Sequence, residues 1–262
     1  MNQPTASPSL FPSDLEEPRV TDANLWLGSS VPYESLANGF ELEVPEWFNM
    51  ADATVGRHAR GIFSDRIALV CSSGEEGPQQ TFTYRELDLE ARRCAKFLKL
   101  HGVCRGDVVI CYTPQGRTAA LTHLAAYLIG AIVAPLSLLY GRETLIHAMN
   151  DSKAPIVVTT RRAWDALPGL RDALPSLKKV LISRGAGENE IAFEKYALET
   201  PIIAAELTRS SDPALLLYTS GSTGLPKGIL HAHRLVLGYL HGVFNVSVYP
   251  QGSVGGQKFN QD

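Results

Sequence analysis

The chain has 262 residues, of which 45% are hydrophobic and 19% charged, and a net charge of −3. That length is enough to bury a core in one or two domains, and the composition is that of a soluble globular protein. A slightly negative balance offers no field for nucleic acid or an anionic membrane, and the longest apolar stretch, Ala119 to Leu139, is broken by His123, Gly130 and Pro135 before it could span a bilayer.

Residues 1–43 begin with "MNQPTASPSLFPSDLEEPRV", rich in Pro and Ser, and are expected to form a flexible lead-in. Acidic residues precede the first basic one, Arg19, and no basic-then-apolar leader is present, so the expected location is cytoplasmic. Val44 to Ala59 reads as a helix entered through Pro45. A strand over Arg66–Ser73 follows, then a turn at Gly74 and Gly77 and a short strand over Thr81–Tyr84.

Thr83 and Glu86 have the spacing of a capping box, in which the Thr hydroxyl accepts a free N–H of the first turn and the Glu reaches back to the cap. Leu87, Ala91, Cys94, Ala95 and Leu98 then recur at helical spacing, and Gly102 is placed to close the helix. Arg92, Arg93, Lys96 and Lys99 are expected on its solvated face. Beyond it, strand-like apolar runs ("DVVICYT", "AIVAPLS", "APIVVTT", "KKVLIS") alternate with helical patterns ("RTAALTHLAAYLIG", "GRETLIHAMNDSK" and the broken "RRAWDALPGLRDAL"). The strands are continuously apolar and not alternating, which predicts an α/β fold whose parallel sheet is covered on both faces.

The four cysteines, Cys71, Cys94, Cys104 and Cys111, form no C-x-x-C pair, so they read as reduced, buried thiols and no metal site is expected. His231 and His233 would share one face of a strand, but no third ligand lies nearby.

The chemistry is concentrated in "YTSGSTGLPKG", Tyr218 to Gly228. Hydroxyls of Ser220, Ser222 and Thr223 can donate. Gly221 and Gly224 free the backbone N–H groups to turn toward one ligand. Lys227 brings a compact positive charge, with Pro226 fixing the backbone before it. The loop holds donors and a cation and no carboxylate, so its complement is a polyanion, best of all a nucleotide triphosphate. The spacing is not that of a Walker A loop, and "GILHAH" after it reads as extended, which argues against a helix N-terminus as the anion-binding device. The plain alternative is a Gly/Ser hairpin turn.

"LLLYTSGSTGLPKG" closely resembles the phosphate-binding motif of the AMP-forming adenylating enzymes. "TFTYRELDLEARRCAKFLKLHGVCRGDVV", "LAAYLIGAIVAPLSLLYGRE" and "DSKAPIVVTT" are similar to successive helix–strand units of that family, and "WFNMA" and "PLSLLYG" are most similar to its short- and medium-chain acyl-CoA synthetase branch. The resemblance implies the layered parallel-sheet, N-terminal part of the acyl-adenylate-forming fold. It also implies that a carboxylate attacks the α-phosphorus of ATP, pyrophosphate leaves, and coenzyme A takes the acyl group from the adenylate. The implied ligands are ATP, Mg2+ through the ATP phosphates, coenzyme A and a small carboxylic acid. Thr219, Ser220, Gly221, Ser222, Thr223, Gly224 and Lys227 are the implied binders of the β- and γ-phosphates.

The likeness runs from about Trp47 to about Asn245, so the expected division is a lead-in over 1–43, a partial AMP-binding domain over 44–245 and an atypical tail over 246–262. The family's adenine- and acyl-binding centre, ribose-binding aspartate, hinge and small C-terminal domain with its catalytic lysine have no counterpart in these residues. The chain is therefore expected to be a fragment, or to end in a shifted reading frame, without a complete active site, and no catalytic residue is assigned. The alternatives are a non-catalytic module that binds nucleotide phosphates and another adenylating subfamily.

Overall fold

The computed structural model describes residues 44–72, 79–199, 203–219 and 224–239. The lead-in over 1–43, the turn at Gly74 and Gly77, the loop residues Ser220, Gly221, Ser222 and Thr223, and the tail over 246–262 lie outside the described residues.

The helix expected from Val44 begins later, with helical turns from Met50, a π-helical turn over Asp52–Gly56 and the short α1 (Arg57–Arg60). The residues before Met50 are extended because their backbone is already bonded elsewhere. Phe48 donates its N–H to the Thr208 carbonyl at 2.8 Å, and Trp47 bridges Arg209 antiparallel. Pro45 thus precedes an extended stretch and starts no helix.

The strand pair β1 (Ile67–Cys71) and β2 (Gln80–Thr83) forms a small antiparallel sheet. It leads into α2 (Tyr84–Leu100), whose capping box is complete: Thr83 Oγ1 accepts from the Glu86 N–H at 3.2 Å, and Glu86 Oε2 accepts from the Thr83 N–H at 2.8 Å. At its other end Gly102 takes φ +90°, the Val103 N–H reaches the Leu98 carbonyl and the Gly102 N–H reaches that of Lys99, which is a Schellman closure.

The remaining elements are β3 (Val108–Tyr112), α3 (Arg117–Leu128), β4 (Ile132–Pro135), α4 (Arg142–Asp151), β5 (Ile156–Thr160), α5 (Arg161–Asp165), β6 (Lys179–Ser183), β7 (Ile191–Ala192), β8 (Pro213–Thr219) and β9 (Lys227–Ala232). The strands form one sheet in the order β7-β6-β5-β3-β4-β8-β9, parallel throughout except for β9, which returns antiparallel along β8.

Both faces of the central strands β3, β4, β5 and β6 are buried, and that is why these strands are apolar without alternation, whereas the edge strand β9 is largely exposed. Val109 and Cys111 of β3 pack with α2, α3, Phe193 and Tyr196. Ile110 and Tyr112, pointing the other way, pack with Leu145, Ala148 and Met149 of α4 and with Leu170 and Leu174. Each fully buried side chain of this kind contributes roughly 1.5–3 kcal/mol by leaving water.

Two expectations are corrected here. Arg92 is 1% exposed and not part of a solvated face. Its guanidinium lies against Asp52 at 2.6 Å and Asp88 at 2.8 Å, and donates to the Ile203 carbonyl at 3.3 Å. Arg60 holds the same Asp52 carboxylate from the other side at 3.0 and 3.1 Å. The charge is buried because three oxygen-bearing partners replace its water. Cys104 is exposed, in the turn before β3, whereas Cys71, Cys94 and Cys111 are buried free thiols as expected.

Candidate functional site

The expected site sits on the β8–β9 hairpin. Thr219, the last residue of β8, is the register partner of Lys227, the first of β9. The two residues that flank 220–226 are therefore neighbours on adjacent strands. Because β8 runs parallel to β3 to β7, Thr219 lies at the carboxyl end of the sheet, the side on which α/β folds bind ligands. The strand order β4-β3-β5-β6-β7 has the flavodoxin-like 2-1-3-4-5 pattern, whose switch point falls between β3 and β5. The glycine-rich loop is instead on β8, beyond β4, so it is a hairpin device separate from the switch-point crevice.

Three of the expected binders are described. Thr219 and Lys227 are exposed at the mouth, and Lys227 carries no ion pair among the described residues. Gly224 adopts φ +146°, which a side chain would strain, although the space around its missing Cβ is open. Its glycine is thus required by the backbone path. Ser220, Gly221, Ser222 and Thr223 lie outside the described residues.

Gly228 has a different reason. It is the register partner of Tyr218, and a Cβ there would come within 3.0 Å of Leu216 Cδ1 and 3.3 Å of Tyr218 Cε1. The absent side chain makes room for the Tyr218 ring across the strand pair.

Tyr218 in turn anchors β8. Its hydroxyl donates to Asp151 Oδ2 at 2.8 Å, and its carbonyl accepts from the Tyr140 hydroxyl at 3.0 Å. Burial first, and then the hydrogen bond to the Asp151 carboxylate, pushes the Tyr218 hydroxyl above its usual range, so it stays a donor. On the β9 side, His147 Nε2 lies 2.9 Å from the Pro226 carbonyl. A carbonyl only accepts, so Nε2 carries the proton and donates. Sequence reasoning missed Tyr140, His147, Asp151 and Tyr218. Their partners are 67 to 79 residues away, and two of the three acceptors are backbone carbonyls that no side-chain pattern announces.

The two histidines beyond the loop do not form a pair on one face. β9 stops at Ala232, and His233 lies past its end, fully buried, with Nδ1 accepting from the Met50 N–H at 3.1 Å. Burial pushes its pKa down to about 4. His123, whose Nδ1 lies 2.9 Å from the Tyr127 hydroxyl, is likewise pushed down to about 4 by burial. His233 reads as a core histidine and His123 as a half-buried one on α3.

Known proteins similar to this chain identify its family and fold. The profile of the AMP-binding enzyme family matches residues 57–257. The chain is 31% identical to a human protein named acetyl-coenzyme A synthetase 2-like, mitochondrial, over 85% of its own length and 34% of the relative's. It is also 31% identical to acetyl-coenzyme A synthetase of Bacillus subtilis, over 72% and 33% of the two chains. The chain thus spans about a third of the length of the curated relatives it matches. Among solved structures, an anthranilate CoA ligase in complex with anthranoyl-AMP superposes with a TM-score of 0.66 at 23% identity, covering 73% of this chain and 36% of the other. A putative long-chain-fatty-acid CoA ligase from Rhodopseudomonas palustris gives 0.66 at 25% identity, covering 75% and 48%.

Proposed function

We propose, since this chain belongs to the family of AMP-binding enzymes, that it serves an ATP-dependent, AMP-forming acyl-CoA synthetase and supplies the loop that grips the triphosphate tail. In that reaction an oxygen of the carboxylate substrate attacks the α-phosphorus, and the bond from that phosphorus to the bridging oxygen breaks. Pyrophosphate leaves and an acyl-adenylate remains. The coenzyme A thiol then attacks the acyl carbon, its proton is lost, and AMP departs to give the thioester.

The observation that carries the reading is the register of Thr219 with Lys227 at the carboxyl end of the sheet. It draws both ends of a loop composed of donors to one mouth, beside an exposed lysine without an ion-pair partner among the described residues. Negative charge grows on the pyrophosphate as it leaves, and preorganised donors stabilise that charge without reorganising. The loop offers no carboxylate to a bare cation. Its chemistry therefore fits Mg2+ carried on the phosphate oxygens of ATP, where the ion would neutralise part of the charge. The proposed binders are Thr219, Ser220, Gly221, Ser222, Thr223, Gly224 and Lys227, within an AMP-binding unit over 44–245 that leaves 1–43 and 246–262 as flanks. No helix among the described residues is long and apolar enough to cross a membrane, and the proposed compartment is the cytoplasm.

The test is calorimetric titration of the chain with MgATP and with AMP. ATP is expected to bind more tightly. Hydrogen bonds to a charged group contribute about 1.5–3 kcal/mol each, so Lys227→Ala combined with Ser222→Ala is expected to weaken ATP binding by at least tenfold and leave AMP binding unchanged. Equal ATP affinity in the variant would overturn the reading.

A further inference from the structure

We propose that His147 is a positioning residue for the phosphate-gripping loop, acting through the Pro226 carbonyl on the placement of Lys227; the inference rests on the triphosphate reading of that loop. Both ends of the loop are tied to one helix, α4 and its lead-in. His147 and Asp151 are one turn apart, so they stand on the same face of α4. His147 Nε2 donates to the Pro226 carbonyl at 2.9 Å, and that carbonyl belongs to the peptide that leads into Lys227. Asp151 Oδ2 accepts from the Tyr218 hydroxyl at 2.8 Å, and the Tyr140 hydroxyl donates to the Tyr218 carbonyl at 3.0 Å, the peptide that leads into Thr219. The residues just before the two register-paired ends of the loop are thus each bonded to the same side of the fold.

The two ties differ in strength of consequence. On the β8 side, Tyr218 is also held by ladder bonds to its neighbours and by its buried ring. On the β9 side Pro226 precedes the strand, whose register begins at Lys227. The Pro226 carbonyl therefore lies outside β9, and His147 is the side chain bonded to it; without that bond the Pro226–Lys227 peptide is held from its Lys227 end. A tilt there redirects the Lys227 side chain and the turn before it, which are the groups assigned to the β- and γ-phosphates. Nothing in this linkage reaches the α-phosphate, so the effect should discriminate between nucleotides that carry the terminal phosphates and one that does not.

The test compares His147→Leu, His147→Gln and His147→Asn in the full chain, with MgATP, inorganic pyrophosphate and AMP as the titrants. The Gln amide nitrogen falls where the imidazole Nε2 does, whereas that of Asn falls short. Loss of one neutral hydrogen bond corresponds to about threefold to tenfold in affinity. His147→Leu and His147→Asn are expected to lose that much for ATP and pyrophosphate with AMP unchanged, and His147→Gln is expected to recover most of it. Thr83→Ala, far from the loop, serves as a variant that lowers stability without touching Pro226; its ATP-to-AMP ratio is expected to match that of the parent chain. If His147→Leu binds ATP as the parent does, or loses ATP and AMP alike, or if Gln and Leu behave identically, the positioning role is overturned while the triphosphate reading stands. Failure of the parent chain itself to prefer ATP over AMP would overturn both.

Discussion

The guanidinium of Arg92 meets the carboxylate of Asp52 at 2.6 Å, with 1% and 2% of the two side chains exposed. Forty residues of sequence separate them, and each loses its most deeply buried partner without the other, leaving Arg92 with Asp88 and Asp52 with Arg60. Truncating one partner of a buried pair costs about 3–5 kcal/mol where the survivor is stranded. Because Asp88 still faces Arg92, Asp52→Ala is expected to lower the unfolding free energy by no more than that amount in urea titration at neutral pH, but by more than Asp65→Ala, whose ion pair with Arg85 is exposed.

Gly56 sits over this cluster. A Cβ there would lie 2.7 Å from Asp52 Oδ1, 3.0 Å from Arg60 Nη1 and 3.1 Å from Arg92 Nη2. The carboxylate is clamped between two guanidinium groups and has no direction in which to yield. Gly56→Ala is expected to destabilise by about 1–3 kcal/mol, the range of overpacking. The same substitution should cost less in an Asp52→Ala background, and a double-mutant cycle measures the difference.

Stability should fall with acid before the carboxylates titrate. His123 and His233 are both held near pKa 4 by burial, against 6.5 for the free side chain. Above pH 6.5 both are neutral in the folded and unfolded states and contribute no slope. Between 6.5 and about 4 the unfolded chain takes up protons that the folded chain refuses, so folding weakens as pH falls, by up to about 3 kcal/mol per histidine. Glu86 and Glu190, held below 4.5 chiefly by hydrogen bonds from backbone N–H groups, add their losses only at lower pH. His233→Asn keeps an acceptor for the Met50 N–H and removes the titration. Chemical denaturation across this range should show a flatter profile for that variant.

The capping box gives a local test. Thr83→Ala removes the acceptor for the Glu86 N–H and is expected to cost about 1 kcal/mol by thermal or urea unfolding. Thr83→Ser keeps the hydroxyl and should unfold close to the parent.

What the sequence made legible was whatever depends on near neighbours. The apolar runs of β3, β5 and β6, the Thr83–Glu86 cap and the closing Gly102 are decided within a few residues, and the structure has all of them. Arg92 was misread because its spacing among Arg93, Lys96 and Lys99 looks like a polar face, and only a carboxylate brought in from Asp52 makes its burial possible. The start of the first helix was misread for the same kind of reason, since Thr208 claims the backbone of Phe48 from 160 residues away. At the candidate site, composition marks the loop that is proposed to bind phosphate, while nothing in the sequence marks the helix beside it as part of that site. His147 and Tyr140 bond to carbonyls that every residue possesses, so no pattern of side chains in the chain could have singled them out.

The first described segment is stitched to Thr208 and Ser210 before β8 and to His233 after β9. Phe48 and Thr208 exchange two hydrogen bonds, the Ser210 N–H reaches the Glu46 carbonyl, and the Met50 N–H is received by His233. Neither stretch comes loose without cost: lifting away the segment around Met50 would remove the bond that His233 Nδ1 accepts, and Nε2 has no partner among the described residues. The two ends of the fold should therefore breathe as one unit, and amide exchange at Met50 and at His233 should be governed by a shared opening event whose rate rises in parallel when either side is weakened.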